Sequence, residues 1–284
     1  MRNIRPILAI LLATTIRWLN GIFVKYLHLP IATQTFLRLG MPCILCGAYL
    51  VYKRLPLIPK QRKWFALLSI ANALRMFLLI AGYTFTTPTL ATVTQRTNVF
   101  VGVFLAFLLL KERITRNKIL SIIIGFIGVL IMARGTWLSL DNVNTQGIIF
   151  VFFSAMISGC MHIGYKKLVE TNSIAHLLFY QSIIGTILFG VYALIYNPLP
   201  TPLQRELGIV HSVLIGVIGF ALYFRGMKRM QAGYSMILLY REIASAAFFS
   251  FLFLHEQLTI PRIIGIVCII CSWILVSYWV QKRG

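Results

Sequence analysis

The chain has 284 residues, 59% of them hydrophobic and 12% charged, with a mean hydropathy of +0.84 and a formal net charge of +21. Soluble domains carry roughly a quarter charged residues, so this composition excludes a water-soluble globular domain, and also a disordered chain, a collagen-like chain and a disulfide-stapled secreted module. In a soluble protein such a basic excess would point to nucleic acid, but the charges here are placed for a different purpose.

A helix crosses the hydrocarbon with about 20 mostly apolar residues. Ten such runs follow one another, at 7–27, 33–52, 64–83, 89–110, 118–135, 145–166, 174–196, 207–226, 233–254 and 262–280. They leave only short loops and tails. The runs do not alternate as barrel strands do. The first has no small-residue cleavage site after it and is expected to be retained. The sequence therefore predicts an all-α membrane protein of ten transmembrane helices.

Taken in chain order, the runs carry a sparse set of polar side chains. The first holds Arg17, Trp18 and Asn20; the second holds Arg38 and the Cys43/Cys46 pair. The third holds Arg75 and Tyr83. The fourth carries Thr92, Thr94, Gln95, Arg96, Thr97 and Asn98 in close succession. The sixth carries Cys160, His162 and Tyr165, with His162 close enough to the end to be wetted; the seventh carries Tyr180 and Gln181. The eighth carries Tyr223 and Arg225. The ninth brings Tyr240, Arg241 and Glu242 together, and the tenth holds Cys268 and Cys271. No His or acid stands close in sequence to either Cys pair to complete a metal site, so reduced thiols packed among apolar side chains are expected.

With the N-terminus in the cytoplasm, the inside loops and tails collect 17 basic residues and the outside segments 4. This split places both ends of the chain inside. The charge is thus an orientation signal, and no nucleic-acid partner is expected. Six arginines remain within the spans: Arg17, Arg38, Arg75, Arg96, Arg225 and Arg241. Each costs about 2.5–3.5 kcal/mol at a helix centre, which makes it a functional candidate by default. Arg38 and Arg225 lie near enough to span ends to snorkel. The other four lie near mid-span. Glu242 is the one acid well inside a span, and it either pairs with Arg75 or Arg96 as a structural tie or serves the site. One carboxylate cannot neutralise four cations, so the uncompensated field invites an external anion, which arginine grips with two-pronged geometry.

A shift of 144 residues lays the second half on the first. Gly82 meets Gly226, Phe104 and Phe107 meet Phe248 and Phe251, and Glu112 and Thr115 meet Glu256 and Thr259. Five spans per copy is an odd number, so the copies must insert with opposite orientation, the arrangement used by many secondary transporters. The polar run of span four falls on Met236–Glu242 of span nine. The expected domains are a first five-helix repeat over 1–137 and an inverted second over 143–284.

Each copy closes a span with a Glu followed by a hydrophobic residue and Thr, as Glu112-Arg113-Ile114-Thr115 and Glu256-Gln257-Leu258-Thr259. Small residues follow, Gly125 and Gly128 in one copy and Gly265 in the other, with Ser272 where the first has Gly128. In these features, together with Arg38, Trp18 and Lys25, the chain resembles the EamA type of the drug/metabolite transporter superfamily. Leu74-Arg75 and Tyr240-Arg241 are similar to carriers that take up S-adenosylmethionine.

The resemblance implies two inverted five-helix repeats, alternating access and no enzymatic activity. No Gly-Lys phosphate loop, acid pair or Ser/His/Asp grouping appears, and no cofactor is expected. The expected function is secondary transport of a small polar metabolite, amino-acid-like or anionic and carboxylate-bearing. The alternatives are S-adenosylmethionine uptake, export of drugs or hydrophobic metabolites, and a membrane enzyme acting on a lipid-linked phosphate. The expected substrate-binding residues are Arg17, Trp18, Arg75, Thr94, Arg96, Asn98, Tyr240, Arg241 and Glu242. The expected setting is the inner membrane of a bacterium, and the sequence leaves the oligomeric state open.

Overall fold

The structure is a computed structural model that describes residues 4–57, 59, 61–112, 115–133, 143–254 and 259–282. Glu256 and its neighbours in the second Glu-x-x-Thr element lie outside the described residues, except for Thr259.

Four spans are unbroken or nearly so: α3 (Ile31–Tyr52), α4 (Arg62–Phe85), α8 (Val143–Thr171) and α9 (Ile174–Tyr196). Two further unbroken helices, α7 (Arg116–Ala133) and α14 (Ile260–Lys282), occupy the fifth and tenth places. The remaining four spans are interrupted. The first divides at Trp18 into α1 (Ile4–Arg17) and α2 (Leu19–Leu27). The fourth divides at Arg96-Thr97 into α5 (Pro88–Gln95) and α6 (Asn98–Leu110). The eighth runs as α10 (Pro202–His211), a π-helical stretch Ser212–Gly219, and α11 (Phe220–Met227). The ninth runs as α12 (Ala232–Ile237), a 3-10 turn Leu238–Tyr240, and α13 (Arg241–Leu254). All described regular structure is helical, in two repeats, and seven segments are long and apolar enough to cross a membrane unaided.

Local chemistry sets the helix ends. Thr87 accepts from the Leu90 N–H, with Pro88 at the first helical position of α5. Ser173 caps α9, and Thr201 with Gln204 forms a reciprocal capping box on α10. These contacts satisfy amide groups that hydrocarbon would leave unpaired.

The repeats pack through equivalent helices. α3 lies on α9 and α7 on α14, which are the same helix in each copy; α4 lies on α8 and α1 on α11. Small residues permit the α7–α14 approach. A Cβ on Gly128 would stand 2.7 Å from the Gly265 carbonyl oxygen, and one on Gly125 would stand 2.8 Å from the Tyr240 ring. Ser272, opposite Gly125, donates to the Ser121 carbonyl at 2.6 Å, so the second copy ties the two helices with a hydrogen bond where the first uses bare backbone.

Candidate functional site

The helix interruptions place polar groups at mid-depth. At Arg96-Thr97 the backbone bonds shorten, with the Arg96 N–H reaching the Val93 carbonyl and the Thr97 N–H the Thr94 carbonyl. The Arg96 side chain is 1% exposed and reaches across to Glu242, with Nη2 3.2 Å from Oε1. Arg17, the last residue of α1, approaches the other carboxylate oxygen at 3.6 Å. Its guanidinium lies 4.6 Å over the Phe220 ring and 5.4 Å from the Tyr223 ring.

Arg75 is fixed from below. Its Nε and Nη2 donate to Asn72 Oδ1 at 3.1 and 2.8 Å, and Asn72 in turn donates to the Gln181 carbonyl. Arg38 is fixed by a proline. Pro42 lacks the N–H that would bond the Arg38 carbonyl, and Ser212 of the π-helical stretch donates to that carbonyl at 2.9 Å instead. The same stretch brings Gly216 against Arg38, where an added Cβ would stand 2.3 Å from Nη1. A π-helical segment at a functional position fits the general pattern.

These side chains line a first chamber of about 20 Å3, formed by Arg17, Asn20, Arg38, Arg75, Met76, Leu79, Tyr83, Gln95, Arg96, Ile215, Phe220 and Glu242. A second chamber of about 30 Å3 shares Arg17, Arg75 and Phe220 and adds Asn98, Ser158, Met161, His162, Tyr165, Tyr223, Met236 and Leu239. Such volumes hold one or two waters, so a metabolite requires the walls to part. Several buried polar atoms here have no hydrogen-bond partner in the protein: Arg38 Nε, Gln95 Oε1, Arg96 Nε and Nη1, Asn98 Oδ1 and Tyr165 Oη. Native interiors rarely leave such atoms unpaired, so each marks a place for a water or ligand.

Of the nine expected site residues, five line the chambers: Arg17, Arg75, Arg96, Asn98 and Glu242. Four do not. Arg241 turns to α1, donating to the Leu11 carbonyl at 2.8 Å and to the Thr14 and Thr15 hydroxyls. Tyr240 is fully buried against Gly125 between α7 and α14. Trp18 stacks on Phe253 with ring centroids 6.2 Å apart. Thr94 is half-buried, and its carbonyl accepts from the Thr97 hydroxyl. For Arg241 the turn of the helix accounts for this: consecutive residues point about 100° apart, and Arg241 faces α1 while Glu242 faces the chamber.

Two expectations reverse. Arg38 does not reach the interface; it is 2% exposed, and its guanidinium lies 5.7 Å from the Phe220 ring. His162 is not wetted but 4% exposed, bonded to Tyr223 at 2.7 Å and to Ser235 at 3.1 Å. Arg225, by contrast, is exposed.

The Glu of the first repeat motif has a defined role. Lys111 turns into the left-handed region and ends α6, and the Glu112 carboxylate accepts from the Ala232 and Gly233 amides at 2.6 and 3.0 Å. It thereby caps the helix that opens the equivalent broken span of the other repeat.

Comparison with known proteins follows this geometry. The EamA-like transporter family model matches residues 4–134 and 145–278, one match per repeat. The chain belongs to the EamA-like transporter family. It is 23% identical over 189 residues to the uncharacterized transporter YoaV of Bacillus subtilis (strain 168), covering 65% of this chain and 64% of YoaV. It is 24% identical to YetK of the same organism, also an uncharacterized transporter, over 86% of this chain and 77% of YetK. An uncharacterized transporter of Clostridium kluyveri is 27% identical over 82% of this chain and 77% of its own. One solved crystal structure superposes with a TM-score of 0.76 at 13% identity, over 99% of this chain and 98% of the other, which establishes a shared fold.

Proposed function

We propose that this chain is a secondary transporter that moves a small carboxylate-bearing metabolite, anionic or amino-acid-like, by alternating access between its two five-helix repeats, 1–137 and 143–284. One observation carries the reading. Four guanidinium groups surround the first chamber with a single carboxylate among them, and N–H donors of Arg38 and Arg96 point to no protein acceptor. A buried excess of cations with unused donors suits an anion arriving from outside. For a zwitterion, Glu242 receives the ammonium group while Arg38 and Arg96 hold the carboxylate.

The contracted chambers and broken spans suit a rocking motion in which the repeats part around a central site. The 17-to-4 distribution of basic residues supports cytoplasmic termini in a bacterial inner membrane. The resemblance to S-adenosylmethionine carriers draws little from the site: Arg75 lines the chambers, whereas Leu74 is exposed and Tyr240 and Arg241 lie elsewhere. Export of cationic drugs fits poorly with an arginine-lined chamber.

The test is flux in proteoliposomes, measured with radiolabelled amino acids, hydroxy acids and short dicarboxylates. Transport of at least one carboxylate is expected, reduced at least tenfold by Arg38→Ala, Arg75→Ala and Arg96→Ala separately. Flux that none of these substitutions alters would overturn the proposal.

A further inference from the structure

Part of the second chamber's lining is related to the first by the repeat. At the 144-residue shift Arg17 falls on Met161, Leu79 on Tyr223, Gln95 on Leu239 and Asn98 on Glu242, each pair with one member in each chamber. The second chamber has no carboxylate in its lining. Apart from the shared Arg17 and Arg75, its polar groups are neutral.

Two of those groups keep an oxygen without a protein partner. Asn98 gives its Nδ2 proton to Ser158 at 3.2 Å and keeps Oδ1 unpaired, with the residue 2% exposed. The Tyr165 hydroxyl has no protein partner and its ring is held edge-on to Phe224 at 5.1 Å. His162 Nε2 faces the Ala232 carbonyl, a pure acceptor, so this nitrogen carries the proton. Nδ1 therefore accepts from the Tyr223 hydroxyl at 2.7 Å, which spends the Tyr223 proton and leaves its oxygen, beside the Ser235 hydroxyl, as an acceptor only.

We infer that the second chamber is a binding subsite for an uncharged, hydrogen-bond-donating group on the substrate, a hydroxyl or primary amide, read by Asn98 Oδ1, Tyr165 Oη and Tyr223 Oη. The inference rests on the anion reading of the first chamber and extends it. An ammonium group is rejected because Arg17 and Arg75 form the shared wall. A plain alkyl group is rejected because it leaves buried oxygen atoms unpaired, the basis on which polar sites discriminate most strongly. The substrate class is thus a carboxylate or phosphate monoester with a neutral donor at its far end.

The experiment uses the purified full chain in detergent and a matched set of four- to six-carbon carboxylates and alkyl phosphates. Each length is tested with an ω-hydroxyl, an ω-ammonium and no substituent, and dissociation constants are read from thermal shifts. The ω-hydroxy member of at least one length is expected to bind at least about tenfold more tightly than both counterparts. Tyr165→Phe, which removes an unpaired hydroxyl and keeps the ring, is expected to reduce that preference to threefold or less while leaving the melting temperature unchanged or higher. Asn98→Leu gives an independent second reading. Binding without an ω-hydroxyl preference, or a preference that Tyr165→Phe leaves intact, overturns the subsite and spares the anion proposal. Failure of every carboxylate and phosphate to bind overturns both.

Discussion

Asn98 and Glu242 stand at the same place in the two repeats, 144 residues apart, each just past the break in its span. One presents a neutral amide to the second chamber, and the other presents the carboxylate that pairs with Arg17 and Arg96 in the first. At these equivalent positions one chamber receives a carboxylate and the other a neutral amide.

Glu242→Gln leaves Arg17 and Arg96 without their carboxylate in a buried setting. Breaking one partner of such a pair costs about 3–5 kcal/mol, whereas removing both ions costs far less. Thermal melts are expected to show a large loss for Glu242→Gln and partial recovery in the double substitution Arg96→Met with Glu242→Gln. A Glu242→Gln protein as stable as the parent would refute the pairing.

Gly216→Ala drives a methyl group to where Arg38 Nη1 lies. Overpacking of this kind costs about 1–3 kcal/mol, and here the part that must yield is a chamber guanidinium. Carboxylate affinity is expected to fall more than Gly208→Ala reduces it, since the atoms nearest an added Cβ on Gly208 belong to Leu37 and not to a chamber residue. Equal effects of the two in isothermal titration would remove Arg38 from the site.

Asn72→Leu deletes the acceptor that holds Arg75 Nε and Nη2 and also the donor to the Gln181 carbonyl. Released from its guide, Arg75 is expected to lose roughly tenfold in anion affinity, about the effect of one charge-assisted hydrogen bond. Asn72→Gln keeps both the acceptor and the donor and is expected to retain more of that affinity. Uptake KM for the two variants distinguishes guidance from bulk packing.

Glu112→Ala uncovers the Ala232 and Gly233 amides at the start of α12. Loss of a cap costs about 1–2 kcal/mol. Hydrogen exchange is expected to speed up over residues 232–236 while α4 and α9 keep their protection. Unchanged exchange in α12 would show that the carboxylate is not its anchor.

The membrane class, the repeats and most of the chamber arginines were legible because charge in hydrocarbon is costly and therefore conspicuous. The breaks in spans four and nine were not, since neither Arg96-Thr97 nor Leu238–Tyr240 contains Gly or Pro. Arg38 was discounted because distance along the chain placed it near an end. Its burial follows from Pro42 one turn later, which frees a carbonyl for Ser212 and draws the π-helical stretch onto α3. A proline four residues after an intramembrane arginine was the signal available. Arg241 stands out in the sequence as a mid-span arginine and Tyr240 through the Tyr240-Arg241 resemblance, and neither feature shows which way a helical side chain turns.

The four guanidinium groups of the first chamber all come from residues 17–96, and the lone carboxylate comes from residue 242. Two identical five-helix units meeting as a dimer would bring matching side chains to both positions, cation facing cation and acid facing acid. An electrically lopsided centre of this kind therefore requires two halves of different sequence, which the fused chain provides.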